Sequence, residues 1–285
     1  MKIHNVQQGS QDWHALRDNH YTASEAPAMA RVSKYLSRAD LLKQKYSGEI
    51  PEVSDAQQRL FDKGHAAEAK ARHIAEELIG EELYPATATS EDHPHLLASF
   101  DGCTMLEDVI WETKLWNQDL AAAVRAEVLS AHYLVQMDQQ LLVSGAEKCL
   151  FMCSDGTREN TVWCWHYPDE ARFQRLIAGW QRFRQDLADY QPTADDEVAR
   201  AKVEAQQDAV RAHEAEAASW RACFSLSAAE RGAALKTARE VENPDNVTIS
   251  RKEYNALLAA RVMLDALQSA GVEEWSGYED AITEL

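Results

Sequence analysis

The stretch that decides the fold is Val109–Trp116, which reads VIWETKLW, together with Phe100-Asp101-Gly102 shortly before it. Short runs rich in Val, Ile and Trp predict β-strands. Because alternate side chains of a strand share a face, Glu112 and Lys114 are expected side by side, about 7 Å apart along the backbone. A Glu-x-Lys tripeptide alone is more often a surface ion pair. A hairpin turning at residues 106–108, however, would bring Asp101 beside Glu112, and two carboxylates held that close predict a divalent-metal site.

A third acidic residue, Glu68, lies in a helix predicted from residue 55 to residue 79 and ended by Gly80. Residues at three- and four-residue steps predict the face that packs on the core, namely Phe61, Gly64, Glu68, Ala71, Ala75 and Leu78. A buried carboxylate is costly without a partner, so Glu68 is expected to bind a metal or to contact Lys114. The alternative is a helix rolled enough for Glu68 to reach solvent.

The order of elements predicts an α/β fold with a central mixed sheet flanked by helices. The helices are predicted at residues 13–30, 38–47, 55–79, 119–143 and 169–190. The strands are predicted at residues 83–89, 96–101, 109–116, 147–154 and 161–167.

A domain boundary is predicted at Pro192, after which the composition shifts to Ala, Glu and Arg. Residues 1–192 would form the first domain and residues 193–285 an acidic, all-helical C-terminal segment. Its helices are predicted near 194–222, near 227–241 and from Ser250 to Gly271, the last with a capping box at Ser250 and Glu253.

The net charge of −18 argues against non-specific coating of DNA but not against a local phosphate site. The acidity is spread along the chain: residues 191–285 carry 10 basic and 18 acidic side chains, which leaves 19 and 29 for residues 1–190. No run approaches the ~18 apolar residues that a membrane span needs, and Met1–Ser10 is polar, so a cytoplasmic protein is expected.

The cysteines and histidines offer two alternative metal sites. Five cysteines at irregular spacing predict reduced, mostly buried thiols. The alternative is that Cys149, Cys153 and Cys164 ligate an iron–sulfur cluster, although tight Cys-x-x-Cys spacing is absent. His93 and His95 are the nearest approach to a zinc pair, but the carboxylate site accounts for more residues.

Five motifs, in order, resemble the phage-type alkaline exonucleases related to the lambda exonuclease, also described as viral recombinases. They are Gln8–Glu25, Gly64–Glu68, Asp101-Gly102, Glu112-Thr113-Lys114 and Tyr133–Gln140. The resemblance covers roughly residues 8–190 and implies a restriction-endonuclease-like core of the P-D-(D/E)-x-K type. One departure is Phe100, which stands where the signature expects proline.

The resemblance implies a role for each matching residue. Glu68, Asp101, Glu112 and Lys114 would be catalytic. The metal ligands would be Glu68, Asp101, Glu112 and the carbonyl of Thr113, with Mg²⁺ as the cofactor and Mn²⁺ as a substitute. Arg17 and Ser24 would bind a DNA phosphate, and Gln136 would lie near the active site, whereas Gln140 is interpreted as part of a polar, solvent-facing surface.

The function implied is metal-dependent digestion of linear double-stranded DNA from an end, in the 5′ to 3′ direction, leaving a 3′ single strand for recombination. A homo-trimer and a single-strand annealing protein as partner are implied in the same way. Two alternatives stay open. One is a RecB-like or Cas4-like nuclease that acts on single strands or flaps, and the other is a catalytically silent protein that binds DNA ends or recruits partners.

Overall fold

The computed structural model of the chain describes residues 1–49 and 54–224. Residues Met1–Val203 form one compact unit, and Glu204–Leu285 are a separate unit. The first unit therefore includes residues 194–203, beyond the predicted boundary at 192/193, which stays a prediction. No helix in the described ranges is both long and apolar enough to span a membrane.

Seven strands of the described residues form one mixed sheet. They are β1 (Lys2–Ile3), β2 (Tyr21–Thr22), β3 (Tyr84–Thr89), β4 (Leu96–Cys103), β5 (Val109–Leu115), β6 (Lys148–Ser154) and β7 (Thr161–His166). The order in the sheet is β1-β3-β4-β5-β6-β7, and β2 pairs with β4. The β2–β4 and β5–β6 pairs are parallel and the others antiparallel, so the predicted mixed sheet is confirmed.

Eight helices of the described residues accompany the sheet, and two of them lie in the crossover between the parallel strands β5 and β6. They are α1 (Gln11–Asp18), α2 (Ala26–Met29), α3 (Arg38–Ser47), α4 (Asp55–Ile79), α5 (Gln118–Arg125), α6 (Ala131–Ser144), α7 (Glu170–Ala188) and α8 (Ala194–Phe224). Both α5 and α6 lie in the crossover from β5 to β6. This connection carries the chain back across the sheet so that β6 can run parallel to β5.

The limits of α4 follow directly from its sequence. Ser54 accepts the backbone N–H of Gln57 and the Gln57 side chain accepts the backbone N–H of Ser54, which is a complete capping box. At the other end Gly80 has a φ of 87°, a left-handed conformation that glycine adopts without steric cost. The predicted bounds of this helix, residues 55–79, are confirmed.

Two apolar cores lie on opposite faces of the sheet. Ile110 and Phe151 belong to the larger core with Met137 of α6, whereas Trp111 of β5 packs in the smaller core with Ala71 of α4. The alternation predicted for Val109–Trp116 therefore holds over these neighbouring residues. It places Glu112, two residues after Ile110, on the face that α6 covers.

Gly102 is required for the close packing of β4 in the smaller core. A Cβ atom at this position would lie 2.9 Å from Leu83 Cβ and 3.2 Å from Trp111 Cε3. Real Cβ atoms do not approach a neighbouring carbon so closely, so any larger residue would push β4 away from its neighbours. Packing therefore explains the glycine of the Asp101-Gly102 motif.

Two predictions of secondary structure are wrong, and the predicted core face of α4 is partly wrong. Residues 13–30 form α1, β2 and α2 rather than one helix, because β2 pairs with β4 in the middle. Residues 119–143 are split between α5 and α6 by the loop after Arg125, where Glu127 takes a φ of 54°. On α4 the predicted core residues Ala71 and Ala75 are buried, together with Ala67, but the predicted Phe61 and Leu78 are exposed.

The C-terminal segment is described only as far as α8. This helix confirms the one predicted near 194–222. The helices predicted near 227–241 and 250–270 lie outside the described residues.

Candidate active site

The candidate site lies where β4 and β5 separate. The two strands are paired at Cys103 with Ile110 and at Gly102 with Trp111, and pairing ends there. Beyond that point the backbone N–H of Thr113 donates to Asp101 Oδ2 at 2.7 Å instead. The hairpin predicted around residues 106–108 is confirmed, and it brings the Asp101 carboxylate to the start of the Glu112-Thr113-Lys114 motif.

Glu112 is buried, with only 3% of its surface exposed, and both of its oxygens accept hydrogen bonds. Oε1 accepts from Lys114 Nζ and from Gln136 Nε2, the latter at 2.7 Å. Oε2 accepts from Gln140 Nε2 at 2.6 Å. A buried carboxylate is tolerated when donors satisfy it in this way, and here two of the three donors come from α6.

The interpretation of Gln140 as solvent-facing is wrong. Its side chain is 1% exposed, and Nε2 also lies 3.3 Å from the carbonyl of Ser99 on β4. Gln136 and Gln140 are one turn apart on α6, so the same helix face presents both amides to Glu112. The signal in the sequence was the four-residue spacing of these glutamines in a helix that also carries Met137 and Leu141.

Glu68 approaches the site from α4, but its direct partner is Arg72. Arg72 lies 3.4 Å from Glu68 Oε1 and also donates to the carbonyl of Leu83 at 3.1 Å. The Glu68 side chain is 20% exposed, so it partly reaches solvent, in the direction of the alternative prediction. No hydrogen bond joins Glu68 to Lys114 in the described structure.

The carboxylates influence one another electrostatically. Burial, together with the negative charges of Glu112 and Glu68, holds the pKa of Asp101 well above its usual value. Burial also raises the pKa of Glu68, against the opposing effects of Arg72 and His65. Burial alone would lower the pKa of Lys114, but the Glu112 and Asp101 carboxylates outweigh it and raise that pKa to about 12. The site therefore gathers three carboxyl groups around one ammonium group.

The chemistry of these donors fits a hard divalent cation. Carboxylate and carbonyl oxygens are the ligands that Mg²⁺ prefers, and a cation would relieve the repulsion that raises the pKa of Asp101. As the side chains stand, no three His, Cys, Asp or Glu side chains of residues 1–49 and 54–224 lie close enough together to hold an ion. Both oxygens of Glu112 already accept hydrogen bonds, so a bound cation would share this carboxylate with Lys114, Gln136 and Gln140.

Arg17 and Ser24, the predicted phosphate ligands, are brought together. Arg17 donates to Ser24 Oγ at 3.1 Å, and its guanidinium carbon lies 4.3 Å from the centre of the Trp13 ring. Both residues line a cavity of about 740 Å³, which we call the Arg17 cavity. His65, three residues before Glu68 on α4, also lines it, so the cavity extends toward the carboxylates.

Hydrogen bonds to the side chain and the backbone of Ser99 link the Arg17 cavity to Glu112. Trp13 Nε1 donates to Ser99 Oγ at 3.0 Å, and Gln140 spans from the Ser99 carbonyl to Glu112 Oε2. Ser99 lies on β4, two residues before Asp101. The side chain over which Arg17 stacks is thus anchored to the strand that carries a candidate metal ligand.

Comparison with known families identifies part of the chain. The sequence of residues 12–147 matches the YqaJ-like viral recombinase domain. We use the term YqaJ-like domain for these matched residues, which make up just under half of the chain. The resemblance to viral recombinases expected from the motifs is thereby confirmed, and the matched residues include all four predicted catalytic residues, Glu68, Asp101, Glu112 and Lys114.

Solved structures share the fold around the YqaJ-like domain. An alkaline exonuclease from Laribacter hongkongensis is 20% identical with a TM-score of 0.53, and the match covers 69% of this chain and all of that one. The same enzyme in complex with dAMP gives 20% identity, a TM-score of 0.54 and the same coverage. At this identity the likeness shows the fold alone, and it confirms the predicted nuclease-type α/β core.

Two further comparisons concern the remainder of the chain and its relatives. Residues 244–285, outside the YqaJ-like domain, match the phage T7 gp5.9 RecBCD inhibitor family. No protein in the curated comparison matches the sequence closely enough to be a relative.

The three cysteines of the alternative iron–sulfur hypothesis are buried side chains in the strands that follow the YqaJ-like domain. Cys149 and Cys153 are on β6, and Cys164 is on β7. Burial raises the pKa of each, to about 11 for Cys164, so all three are protonated at neutral pH. Thiolates are the ligands of such clusters, so this environment favours a packing role for the three cysteines.

Proposed function

We propose that the protein is a metal-dependent exonuclease that digests linear double-stranded DNA from an end. The observation that carries the proposal is the site at which Asp101, Glu112 and Lys114 meet, joined by hydrogen bonds to the Arg17 cavity. A catalytic group and a phosphate-binding group are thus held on one framework. The alkaline exonuclease structures with the same fold support the reaction class.

Mg²⁺ would be held by Asp101, Glu112, the carbonyl of Thr113 and Glu68, with Mn²⁺ as a substitute. When bound, such a cation neutralises charge on the phosphate and lowers the pKa of water at the site. The chain's own part is to fix the oxygens that hold it. Gln140 and Gln136 do this for Glu112, and the Thr113 N–H does it for Asp101.

Lys114 would position the attacking water and accept its proton. Its ammonium donates to Glu112 Oε1, and 30% of the side chain is exposed. The raised pKa of Lys114 keeps it protonated beside the carboxylates. A divalent charge near it would favour the neutral amine that the reaction needs.

Arg17 and Ser24 would bind a 5′-phosphate and so set a 5′ to 3′ direction. A guanidinium and a hydroxyl 3.1 Å apart present converging donors to phosphate oxygens. The product would be a 3′ single strand suited to recombination. By the family resemblance we also propose a homo-trimer that encloses DNA, and a single-strand annealing protein that receives the product strand.

The decisive test replaces the catalytic pair and keeps the fold. Glu112→Ala and Lys114→Ala should each leave under about 1% of the wild-type rate on linear duplex, since such groups contribute at least ~10²-fold. Glu77→Ala is the matched control, because Glu77 pairs with Arg158 on the surface and should retain full activity. Digestion should need Mg²⁺ or Mn²⁺ and stop with EDTA. Either catalytic variant retaining substantial activity would refute the assignment.

The substrate test separates the alternatives. Linear duplex with a 5′-phosphate should be digested, whereas covalently closed circles should survive. Preference for single strands or flaps would support the RecB-like or Cas4-like alternative, and rapid nicking of closed circles would indicate an endonuclease. A wild-type protein that binds ends without cleaving under any metal condition would be the catalytically silent binder. Light scattering would test the trimer.

A further inference from the structure

A second cavity, of about 650 Å³, is lined by residues from α6 and α7 and from the region of α2 and α3. We call it the arginine cavity, because five of its lining residues are arginines and only one is acidic. The arginines are Arg31, Arg38, Arg172, Arg175 and Arg182, and the acid is Asp138. In a protein of net charge −18, this concentration of positive charge is local and specific.

Two of these arginines are neutralised within the fold. Arg172 Nε lies 3.0 Å from both oxygens of Asp138, and Arg38 pairs with Asp186 at 2.6 Å. The side chains of the other three have no hydrogen bond or ion pair within residues 1–49 and 54–224. Arg175 has only longer-range attraction to Asp169. Like charges gathered without partners favour an anionic ligand.

The three unpaired arginines are all exposed at the rim of the cavity. Arg31, which follows α2, has a φ of 62°, in the left-handed region that non-glycine residues rarely adopt. Such backbone strain is concentrated at ligand-binding positions. Arg175 and Arg182 are two turns apart on α7, so an extended ligand is needed to contact both.

The floor of the cavity is apolar. It is formed by Met29, Leu134, Val135 and Leu176, and Met29 and Leu176 are 5% exposed. None of the cavity's lining residues is aromatic. Sites for single-stranded nucleic acid use aromatic side chains as stacking platforms, so the apolar floor suits an aliphatic or aromatic peptide side chain better than a base.

We propose that the arginine cavity binds a short acidic segment of a partner protein. One apolar side chain of the segment would enter the floor, and its carboxylates would form bidentate contacts with Arg31, Arg175 and Arg182. Charge complementarity supports this occupant, because arginine forks match carboxylate geometry and arginine is frequent at interface hot spots. The proposal does not depend on the nuclease function, since the cavity lies across α6 from Glu112.

The test is a selection with random displayed peptides on the full chain, followed by fluorescence anisotropy of the enriched peptides. Enriched sequences should combine several Asp or Glu with at least one large apolar residue. The variant Arg175→Gln/Arg182→Gln should weaken their binding by at least ~10-fold, because two charge-assisted contacts to the peptide carboxylates are lost. Arg184→Gln, an exposed arginine of the same helix outside the cavity, is the matched control and should bind as wild type.

Each other result would overturn the proposal. Enrichment without acidic residues, or equal binding by the double variant, would show that the arginines do not select the ligand. Tighter binding of oligothymidine than of any peptide, lost in the double variant, would make the cavity a nucleic-acid site. A change of oligomeric state in the double variant, without peptide binding by wild type, would make it an interface between copies.

Discussion

The two faces of α6 carry opposite electrostatic arrangements. On one face, Gln136 and Gln140 donate to Glu112, both of whose oxygens accept hydrogen bonds. On the other, Leu134, Val135 and Asp138 line the arginine cavity, in which three positive charges have no partner among the described residues. Positions 136 and 138 differ by about 200° around a helix, so the two sites are separated by the thickness of α6 itself.

Under the two proposals, one helix serves catalysis on one face and recognition of a partner on the other. On the proposed catalytic face, neutral amides hold the Glu112 carboxylate without cancelling the negative charge that a metal would need. The opposite face uses a buried acid to fix one arginine and leaves others available. Variants on the two faces should therefore separate activity from stability.

The largest expected effect is on stability, from Asp138→Ala. Asp138 is 2% exposed and accepts from Arg172 Nε and from His166, whose Nε2 lies 2.8 Å away. Removing one partner of a buried pair costs about 3–5 kcal/mol. We expect a loss near the lower value, because Arg172 retains its ion pair with Asp169 and 31% of its side chain is exposed to solvent. Urea unfolding should show the loss, while the rate per folded molecule stays near wild type. A large fall in that rate would mean that the two faces are coupled.

The next effect is on activity, from Gln140→Leu, with Gln136→Leu as its comparison. Leucine at position 140 leaves Glu112 Oε2 without a donor, whereas Oε1 keeps Lys114 when position 136 is changed. We expect an activity loss of at least ~10-fold for Gln140→Leu and a smaller loss for Gln136→Leu. The free energy of unfolding should also fall, by about 1–3 kcal/mol, because Glu112 Oε2 is left buried without a donor. A larger loss for Gln136→Leu would instead favour direct contact of Gln136 with substrate.

Much of the fold and the site could be predicted from local patterns. The capping residues Ser54 and Gly80 fix α4, and alternation in β5 places Glu112 on a different face from Trp111. The hairpin that joins Asp101 to the Glu112 motif also follows from short-range signals. These features depend on neighbours in sequence, which is why a single sequence contains them.

The remaining features depend on tertiary interactions that sequence spacing does not encode. The two-residue strand β2 exists only because it pairs with β4, so residues 13–30 resembled one helix. Gln140 resembled a solvent-facing residue because its partners, Ser99 and Glu112, come from two other strands. The arginine cavity could not be predicted from the sequence either, because its arginines are spread from position 31 to position 182.

A smaller effect is expected from Arg17→Ala in the Arg17 cavity. The variant should digest duplex with a 5′-phosphate about 10-fold more slowly, and duplex with a 5′-hydroxyl at nearly the wild-type rate, because only the phosphate loses a charge-assisted contact. Single-turnover digestion of the two substrates measures this. Arg184→Ala serves as the control for general loss of positive charge. Equal slowing on both substrates would show that Arg17 supports the fold through Trp13 rather than the phosphate.

The smallest effect should come from shortening the chain after Val203, compared with shortening it after Thr193. Both cavities are lined only by residues up to Arg182, so removal of the residues after Val203 should leave digestion of linear duplex nearly unchanged. The longer deletion also removes Asp196, which accepts from the Thr193 N–H at 2.8 Å and pairs with Lys43 at 3.1 Å.

The longer deletion further removes Glu197, which accepts from Tyr46 at 2.7 Å. Because Lys43 and Tyr46 then have neither of these carboxylates as a partner, truncation after Thr193 should lower the free energy of unfolding by about 1–2 kcal/mol. Truncation after Val203 should change it by less than about 0.5 kcal/mol. Urea unfolding and duplex digestion on both proteins measure the difference. If the protein ending at Val203 is folded by circular dichroism yet inactive, residues 204–285 contribute to catalysis. Activity would then depend on more than the Glu112 face of α6.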